Sequence, residues 1–176
     1  MTLGDSLEVV PKVSTWPASL ASRDTLLKLL HNAGISSNTT AQMLARFNRD
    51  VAAYHPDMLL VQGGSNDVDR GVPQATIISH LKSIVDAAQA RGMYVFLITI
   101  PPEGSPTFAK AIVSLNAAII GLARSERAWS IDIHKVLSTS RGVFQAKYTA
   151  DGIHFSVLGA RTVAATIDDG LRDLGF

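Results

Sequence analysis

Four stretches of the chain carry apolar residues at the three- and four-residue spacing of an amphipathic helix. The clearest runs from Val72 to Arg91, with Pro73 near its start and Gly92 just beyond its end. The spacing therefore predicts a helix there and three more. The others run from about Pro106 to Arg124, from Thr39 or Thr40 to a stop before Pro56, and from about Ser156 to Leu174.

Short continuous apolar runs lie between these helices. They are Met58–Val61, which leads into Gly63-Gly64, Tyr94–Ile100, which leads into Pro101-Pro102, and the weaker run Trp129–Ile133. Continuous apolar strands are typical of a parallel sheet that helices cover on both faces. The alternation of helices and strands thus predicts a three-layer α/β fold.

One stretch admits two interpretations. Residues 19–31 fit a single helix by propensity, and they fit a short helix followed by a strand through Leu26–Leu30 equally well. Periodicity alone does not decide between the two.

Composition narrows the class of protein. The 176 residues suit one domain over residues 1–176. With a net charge of +1 and no cluster of Lys or Arg, we expect no nucleic-acid partner. The absence of Cys rules out disulfides, thiolate metal sites and a cysteine nucleophile.

The sequence shows no targeting signal or membrane-spanning segment. We find no run of about 18 apolar residues, so we expect no insertion into a membrane. The first six residues lack the basic and apolar regions of a signal peptide. The localisation therefore stays open, with the cytoplasm favoured.

Small polar clusters fall where predicted strands end, and open α/β sheets bind ligands at those ends. Ser6, after a glycine on a strand-to-loop turn, offers a hydroxyl. Asp151 precedes His154 by three residues, as a carboxylate that orients a base would. Gly34 and Asn66 offer hydrogen-bond donors for an oxyanion hole. The clusters are Gly4-Asp5-Ser6-Leu7, Asn32-Ala33-Gly34, Gly64-Ser65-Asn66-Asp67 and Asp151-Gly152-Ile153-His154.

Each cluster taken alone has an ordinary explanation, as a turn or as a loop that caps a helix. The other histidines, which we expect at surfaces or helix ends, receive no catalytic role: His31, His55, His80 and His134. The conjunction of four clusters in this order, each at a strand end, is what favours an active site.

With these four blocks the sequence resembles the SGNH (GDSL) hydrolase superfamily of serine esterases, over essentially the whole chain. The resemblance implies a flavodoxin-like three-layer α/β/α sandwich with a mostly five-stranded parallel sheet. It favours the strand interpretation for residues 26–31. It also implies that Ser6 is the nucleophile, His154 the general base and Asp151 its orienting partner. The implied oxyanion donors are the N–H groups of Ser6 and Gly34 and the amide of Asn66, and no metal or organic cofactor is needed.

The chain departs from the family pattern in two places. The family often has a second glycine three residues after the oxyanion glycine, where this chain has Ser37; we expect a stiffer loop that keeps the Gly34 donor. Only Met1-Thr2-Leu3 precede the Gly-Asp-Ser block. We therefore expect a very short or trimmed first strand.

The function that follows is hydrolysis of carboxylic esters, with short, acetyl-like acyl groups preferred. The partner would be a small-molecule or glycan ester, and the oligomeric state is not readable from the sequence. Carbohydrate O-acetyl esterase and thioesterase or lysophospholipase activity remain open within the family. A metal-dependent phosphoesterase and a non-catalytic glycan-binding module are the alternatives outside it. Candidate substrate-binding residues come from the loops after the strands: Asp5, Ser36, Val68, Pro101 and Ile153.

Overall fold

The computed structural model describes residues 1–103 and 105–176, without the side chains of residues 106 and 107. The strands in these residues are β1 Thr2–Gly4, β2 Asn32–Gly34, β3 Met58–Val61, β4 Tyr94–Ile98 and β5 Trp129–Ile131. They form one five-stranded sheet in the order β2-β1-β3-β4-β5, with every neighbouring pair parallel. The predicted α/β sandwich with a five-stranded parallel sheet is thereby confirmed.

Helices cover both faces of the sheet. They are α1 Trp16–Arg23, α2 Thr40–Ala45, α3 Phe47–Asp50, α4 Ser65–Asp69, α5 Gln74–Gln89, α6 Pro106–Ser125, α7 His134–Leu137 and α8 Val157–Asp173. Short 3₁₀ turns occupy Ser6–Glu8, Ala52–Tyr54 and Ala146–Tyr148. The predicted long helices correspond to α5, α6 and α8.

The alternation of side chains along the strands divides the core in two. Leu59 and Val61 of β3 pack with residues of α2, α5 and α6 on one face of the sheet. Leu60, between them, packs on the other face with α1 and α8. Because successive strand residues point to opposite faces, three consecutive apolar positions serve two cores.

The first strand is as short as expected, yet it lies inside the sheet. Leu3 pairs with Ala33 of β2 on one side and with Val61 of β3 on the other, and it is fully buried. Two neighbouring strands thus hold the residues that lead into the Gly-Asp-Ser block.

Two predictions about the region before β3 are wrong. Residues 26–31 form no strand, and Leu26 is 88% exposed; β2 begins only at Asn32, which Thr2 of β1 binds side chain to side chain at 3.1 Å. The predicted single helix between residues 40 and 55 is broken at Arg46, whose backbone (φ −101°, ψ 2°) is not helical.

By length and composition, the window Phe108–Ser125 of α6 is apolar enough to cross a membrane, with a mean hydropathy of 1.3. It is not a continuous apolar run, because it includes Lys110, Asn116 and Arg124. In the fold, Ile112, Leu115 and Ile119 of this helix are buried in the core cluster beside the sheet.

Candidate active site

The turn after β1 carries Ser6 and is capped from both ends. The Asp5 carboxylate accepts the Leu7 N–H at 3.0 Å, and the Glu8 carboxyl accepts the Asp5 N–H at 2.7 Å. Such reciprocal capping satisfies N–H groups that the start of a helical turn leaves free. The half-buried Ser6 is thereby held at the C-terminal end of β1.

A second turn, before α8, carries Asp151 and His154. One Asp151 carboxylate oxygen accepts the N–H groups of Ile153 at 3.0 Å and of His154 at 2.7 Å. Gly152 has φ +89°, a left-handed conformation that favours glycine. The fully buried Phe155 anchors the end of the turn in the core. The turn therefore fixes the acid and the base relative to each other.

The two turns meet in a chain of hydrogen bonds. His154 Nε2 lies 3.1 Å from Ser6 Oγ, and His154 Nδ1 lies 2.7 Å from Asp151 Oδ2. Burial acts to raise the pKa of Asp151, but hydrogen bonds from the His154 ring and from the backbone N–H groups of His154 and Ile153 lower it to about 2. The ionised carboxylate favours the tautomer in which Nδ1 carries the proton and Nε2 faces the hydroxyl.

This arrangement is open to solvent. The side chain of Asp151 is 51% exposed and that of His154 is 27% exposed. A substrate therefore reaches the hydroxyl from the surface of the protein.

Asn66 approaches the same place from the end of β3. Gly64, just before α4, has φ +128°, a conformation that L side chains rarely adopt, and a Cβ there would come within 3.0 Å of the Ile100 side chain. The Asn66 amide nitrogen donates to Asp5 Oδ2 at 3.0 Å and to the Asn38 carbonyl at 3.1 Å. In the resting site both amide protons are thus directed at protein oxygens.

The structure does not present Gly34 as the expected oxyanion donor. Its N–H donates to the side chain of Asn32 at 3.0 Å. A Cβ at this position would come within 2.5 Å of the Glu8 Cβ. The glycine is required because Glu8 packs against it, and its N–H is already bound.

The loop after β2 runs beside Asn66. Ser37 has φ +64° inside a turn that the Asn38 N–H closes on the Ile35 carbonyl at 3.1 Å. The Asn38 carbonyl that follows accepts from Asn66. Among the described residues, no hydrogen-bond acceptor is found for the Ser37 N–H. A positive φ at the third turn position usually calls for glycine. The family resemblance marks this position as one where a glycine is common, but the serine itself does not indicate the turn.

Comparison with known proteins identifies the family. The profile of the GDSL-like lipase/acylhydrolase family matches residues 2–162. The chain belongs to this family. The family resemblance seen in the sequence is thereby confirmed.

Curated relatives of this GDSL-family chain are named as esterases. It is 33% identical over 113 residues to an arylesterase of Vibrio mimicus, a match that covers 58% of this chain and 56% of the relative. It is 30% identical over 162 residues to esterase TesA of Pseudomonas aeruginosa, covering 88% of this chain and 78% of the relative. The chain thus spans little more than half the length of the first of these proteins.

Solved structures share the fold of the GDSL-family chain. A GDSL-like lipase from Bacteroides thetaiotaomicron superposes with a TM-score of 0.83 at 21% identity, covering 98% of this chain and 87% of that one. A variant of an acetyl xylan esterase from Geobacillus stearothermophilus gives a TM-score of 0.82 at 22% identity, covering 99% and 93%. At these identities the likeness extends to the fold alone.

The five candidate substrate-binding residues of this GDSL-family chain lie in different settings. Asp5 is fully buried and caps the Ser6 turn, so its side chain is not exposed to a substrate in this structure. Pro101 is also buried, and Val68 packs partly against the core. Ser36 and Ile153 are exposed, Ile153 by 46%.

Sequence reasoning overlooked two charged residues next to the site. Glu8 on the Ser6 turn is fully buried. The almost fully buried Arg46 donates to the Gly4 carbonyl at 2.8 Å and to the Asn38 side chain at 2.7 Å. The spacing of Asp5 and Glu8 is that of a capping box, which is a sequence signal for Glu8. For Arg46 the spacing to Asp50 predicts only a local ion pair, and nothing in the sequence indicates its bond to the Gly4 carbonyl, 42 residues away.

Within the described residues, no group of three or more His, Asp or Glu side chains is arranged to hold a metal ion. The acids at the strand ends serve other purposes. Asp67, for example, accepts the Thr40 N–H at 2.9 Å at the start of α2.

Proposed function

We propose that this GDSL-family chain is a serine esterase that forms an acyl-enzyme on Ser6 and prefers short, acetyl-like acyl groups. The single observation that carries the proposal is the hydrogen-bonded series from Ser6 through His154 to Asp151, with distances of 3.1 Å and 2.7 Å. A hydroxyl, a base and an orienting carboxylate in that order form the arrangement that activates a serine for acyl transfer.

The reaction runs in two halves. Ser6 Oγ attacks the ester carbonyl while His154 Nε2 takes its proton, and Asp151 stabilises the resulting imidazolium. The tetrahedral intermediate collapses, the C–O bond to the alcohol breaks, and the Nε2 proton passes to the departing oxygen. Water then attacks the acyl-enzyme, giving its proton to His154, and the acid leaves as Oγ recovers its proton.

Three donors are proposed for the negative oxygen of the intermediate. They are the Ser6 N–H, the Asn66 amide and the Ser37 N–H, which replaces Gly34 in this role. Ser37 is supported by its positive φ, its place beside Asn66 and the absence of an acceptor among the described residues. Because Asn66 donates to Asp5 and Asn38 at rest, the forming oxyanion must draw one of these protons away.

The solvent exposure of Asp151 and His154 supports the proposal that the enzyme accepts small and varied substrates. An acyl group at Ser6 lies against a surface where half of the Asp151 side chain meets water, and such a surface offers a long acyl chain little burial. The relative named arylesterase supports aryl acetates as test substrates. The superposed acetyl xylan esterase makes acetylated xylan a useful second substrate.

The decisive experiment compares the wild type with Ser6→Ala on p-nitrophenyl acetate. The variant should fold and lose essentially all turnover, while Ser79→Ala, an exposed serine on α5, should behave as wild type. A serine-directed fluorophosphonate should label the wild type and the Ser79 variant alone. Full activity in the Ser6 variant would refute the proposed nucleophile.

Further experiments distinguish the proposed esterase from the alternative functions. Loss of activity in EDTA would point to a metal-dependent hydrolase, and binding of acetylated sugar without turnover of any ester would point to a glycan-binding module. An acyl-length series of nitrophenyl esters, run beside acetylated xylan, tests the preference. Faster turnover of chains of about eight carbons or more would contradict the preference for short acyl groups.

A further inference from the structure

A buried carboxyl group, two residues after the proposed nucleophile, has no hydrogen-bond partner for one of its oxygens in the part of the chain that the structure describes. Glu8 is fully buried. Its Oε2 accepts the Asp5 N–H at 2.7 Å, and its Oε1 has no hydrogen-bond partner among the described residues. The proposed mechanism makes no use of this acid.

The fold makes room for this side chain by using two glycines. Gly4 of β1 pairs with Gly34 of β2, and a Cβ on either residue would collide with Glu8, at its carboxyl group or at its Cβ respectively. The side chain is thus enclosed between the turn and two strands. Both glycines make room for Glu8 because it is buried here; if this residue lay at the surface, a side chain at either position would not collide with it. The fold therefore accommodates a buried carboxyl at this point, although burying such a group is costly.

The charged groups that act on Glu8 are Asp5 on its own turn and Arg46 after α2. Arg46 directs its guanidinium to Gly4, Asn38 and Asp50, at 2.7 to 3.1 Å. Burial raises the pKa of Glu8 well above its usual value and Asp5 raises it further, whereas hydrogen bonds and Arg46 oppose the shift. His154 and Asp67 act on the adjacent Asp5, whose pKa burial raises to about 6.

We propose that Glu8 is a positioning residue that works as a neutral acid: it holds the Asp5 N–H inward so that the next N–H, that of Ser6, faces the substrate. The inference rests on the proposed esterase mechanism. Its geometric basis is that the Asp5 and Leu7 N–H groups are both bound within the turn, while the Ser6 N–H has no acceptor among the described residues.

The neutral form matters because the transition state is anionic. When Glu8 ionises, a negative charge appears two residues from Ser6 in a region that water does not reach, and it opposes the charge growing on the substrate oxygen. Turnover should therefore fall as pH rises through the pKa of Glu8. Glu8→Gln keeps an oxygen that can accept the Asp5 N–H but cannot ionise. This variant therefore distinguishes the effect of holding the turn from the effect of a negative charge on Glu8.

The test measures kcat and KM with p-nitrophenyl acetate, corrected for spontaneous hydrolysis, from about pH 6 to about pH 10. Each profile is normalised to its own maximum. The wild type should lose turnover at alkaline pH, and Glu8→Gln should lack that fall. Asp168→Asn, a buried carboxyl on α8 bound to Arg23 and Arg172, is the matched control and should keep the wild-type profile.

A second variant tests the positioning role. Glu8→Met removes the acceptor of the Asp5 N–H at similar volume, so kcat should fall on the order of tenfold to 100-fold with little change in KM, and Glu8→Gln should restore most of it. If the Met variant does not fold, the pH profile of Glu8→Gln still decides.

Superimposable alkaline profiles of the wild type and Glu8→Gln would overturn the inference, and so would the same flattening in Asp168→Asn. A Met variant that folds and keeps the wild-type kcat would overturn the positioning role. A wild type that neither turns over esters nor reacts with a fluorophosphonate would instead refute the proposed esterase function, so the two failures are distinguishable.

Discussion

Asn66 has two partners at rest that it must partly release during turnover. Its amide donates to Asp5 and to the Asn38 carbonyl, and the proposed mechanism gives it a third acceptor, the forming oxyanion. Asn66→Ala should lower kcat on the order of 10² to 10³-fold with KM less affected, because the donor acts mainly in the transition state. Steady-state kinetics on p-nitrophenyl acetate measure this. A variant impaired in KM alone would show that Asn66 binds the ground state.

Ser37 holds a left-handed backbone conformation that costs a non-glycine residue about 1 kcal/mol. With φ +64°, Ser37→Gly should raise the melting temperature slightly and retain esterase activity, because the proposed donor is the backbone N–H. Ser37→Val should lower the melting temperature, since a β-branched side chain is strained there. Loss of activity in the glycine variant would assign a role to the Ser37 hydroxyl itself.

Single residues also show what a sequence can and cannot predict about a site. The contact between Asp151 and His154 follows from their spacing, because one short turn brings both side chains together. Gly34 was predicted as a donor from its position in the sequence alone. A glycine can be needed for a donor or for space, and only its packing against Glu8 and the bond from its N–H to Asn32 bear on which applies. Burial of Glu8 itself was unpredictable, because glutamate is rarely buried.

At the scale of elements, the turn from residue 149 to residue 155 sets the geometry of acid and base. Gly152→Ala places a side chain at φ +89° and should distort that turn, lowering kcat roughly tenfold or more. Gly142→Ala is the matched control, since Gly142 has φ +76° with open space around it. Both variants should lose about 1 kcal/mol of stability. Equal losses of kcat would contradict a special role for the 149–155 turn.

Element boundaries depend on contacts that periodicity does not contain. Phe47 and Val51 fit the helical stripe predicted to continue from α2, and both are buried. The helix nevertheless breaks at Arg46, whose guanidinium reaches the Gly4 carbonyl of β1 at 2.8 Å. Tertiary hydrogen bonds thus override the local pattern, whereas the ends of α5 and α8, which follow the apolar pattern, were predicted to within two residues.

For the whole molecule, the order of layers was predictable and the edge of the sheet was not. The strands β3 and β4 are buried on both faces, so their continuous apolar composition predicts them from the sequence. β2 is a three-residue edge strand of Asn, Ala and Gly, which no hydrophobic pattern marks. Its place is set by pairing with β1, including the bond between Thr2 and Asn32 at 3.1 Å.

The stability of the whole molecule should depend on pH through two acids whose pKa values shift in opposite directions on folding. A hydrogen bond from Arg49 lowers the pKa of Asp50, against the effect of burial and with help from Arg46, to about 2. The folded chain therefore binds fewer protons at this residue than the unfolded chain does as pH falls. Its stabilising effect is present above the ordinary pKa of about 3.9 and is lost as pH falls through about 2.

The pKa of Glu8 shifts the other way: it is raised in the folded chain. The folded state retains a proton that the unfolded state releases, so this contribution to the free energy of unfolding declines as pH rises from the ordinary value of about 4.3 towards the raised pKa. Glu8→Gln should therefore melt above the wild type by a margin that widens between about pH 5 and about pH 9. Asp50→Asn should melt below the wild type throughout that range. Thermal denaturation measures both, and a margin for Glu8→Gln that stays constant with pH would show that the buried carboxyl does not change its proton occupancy on unfolding.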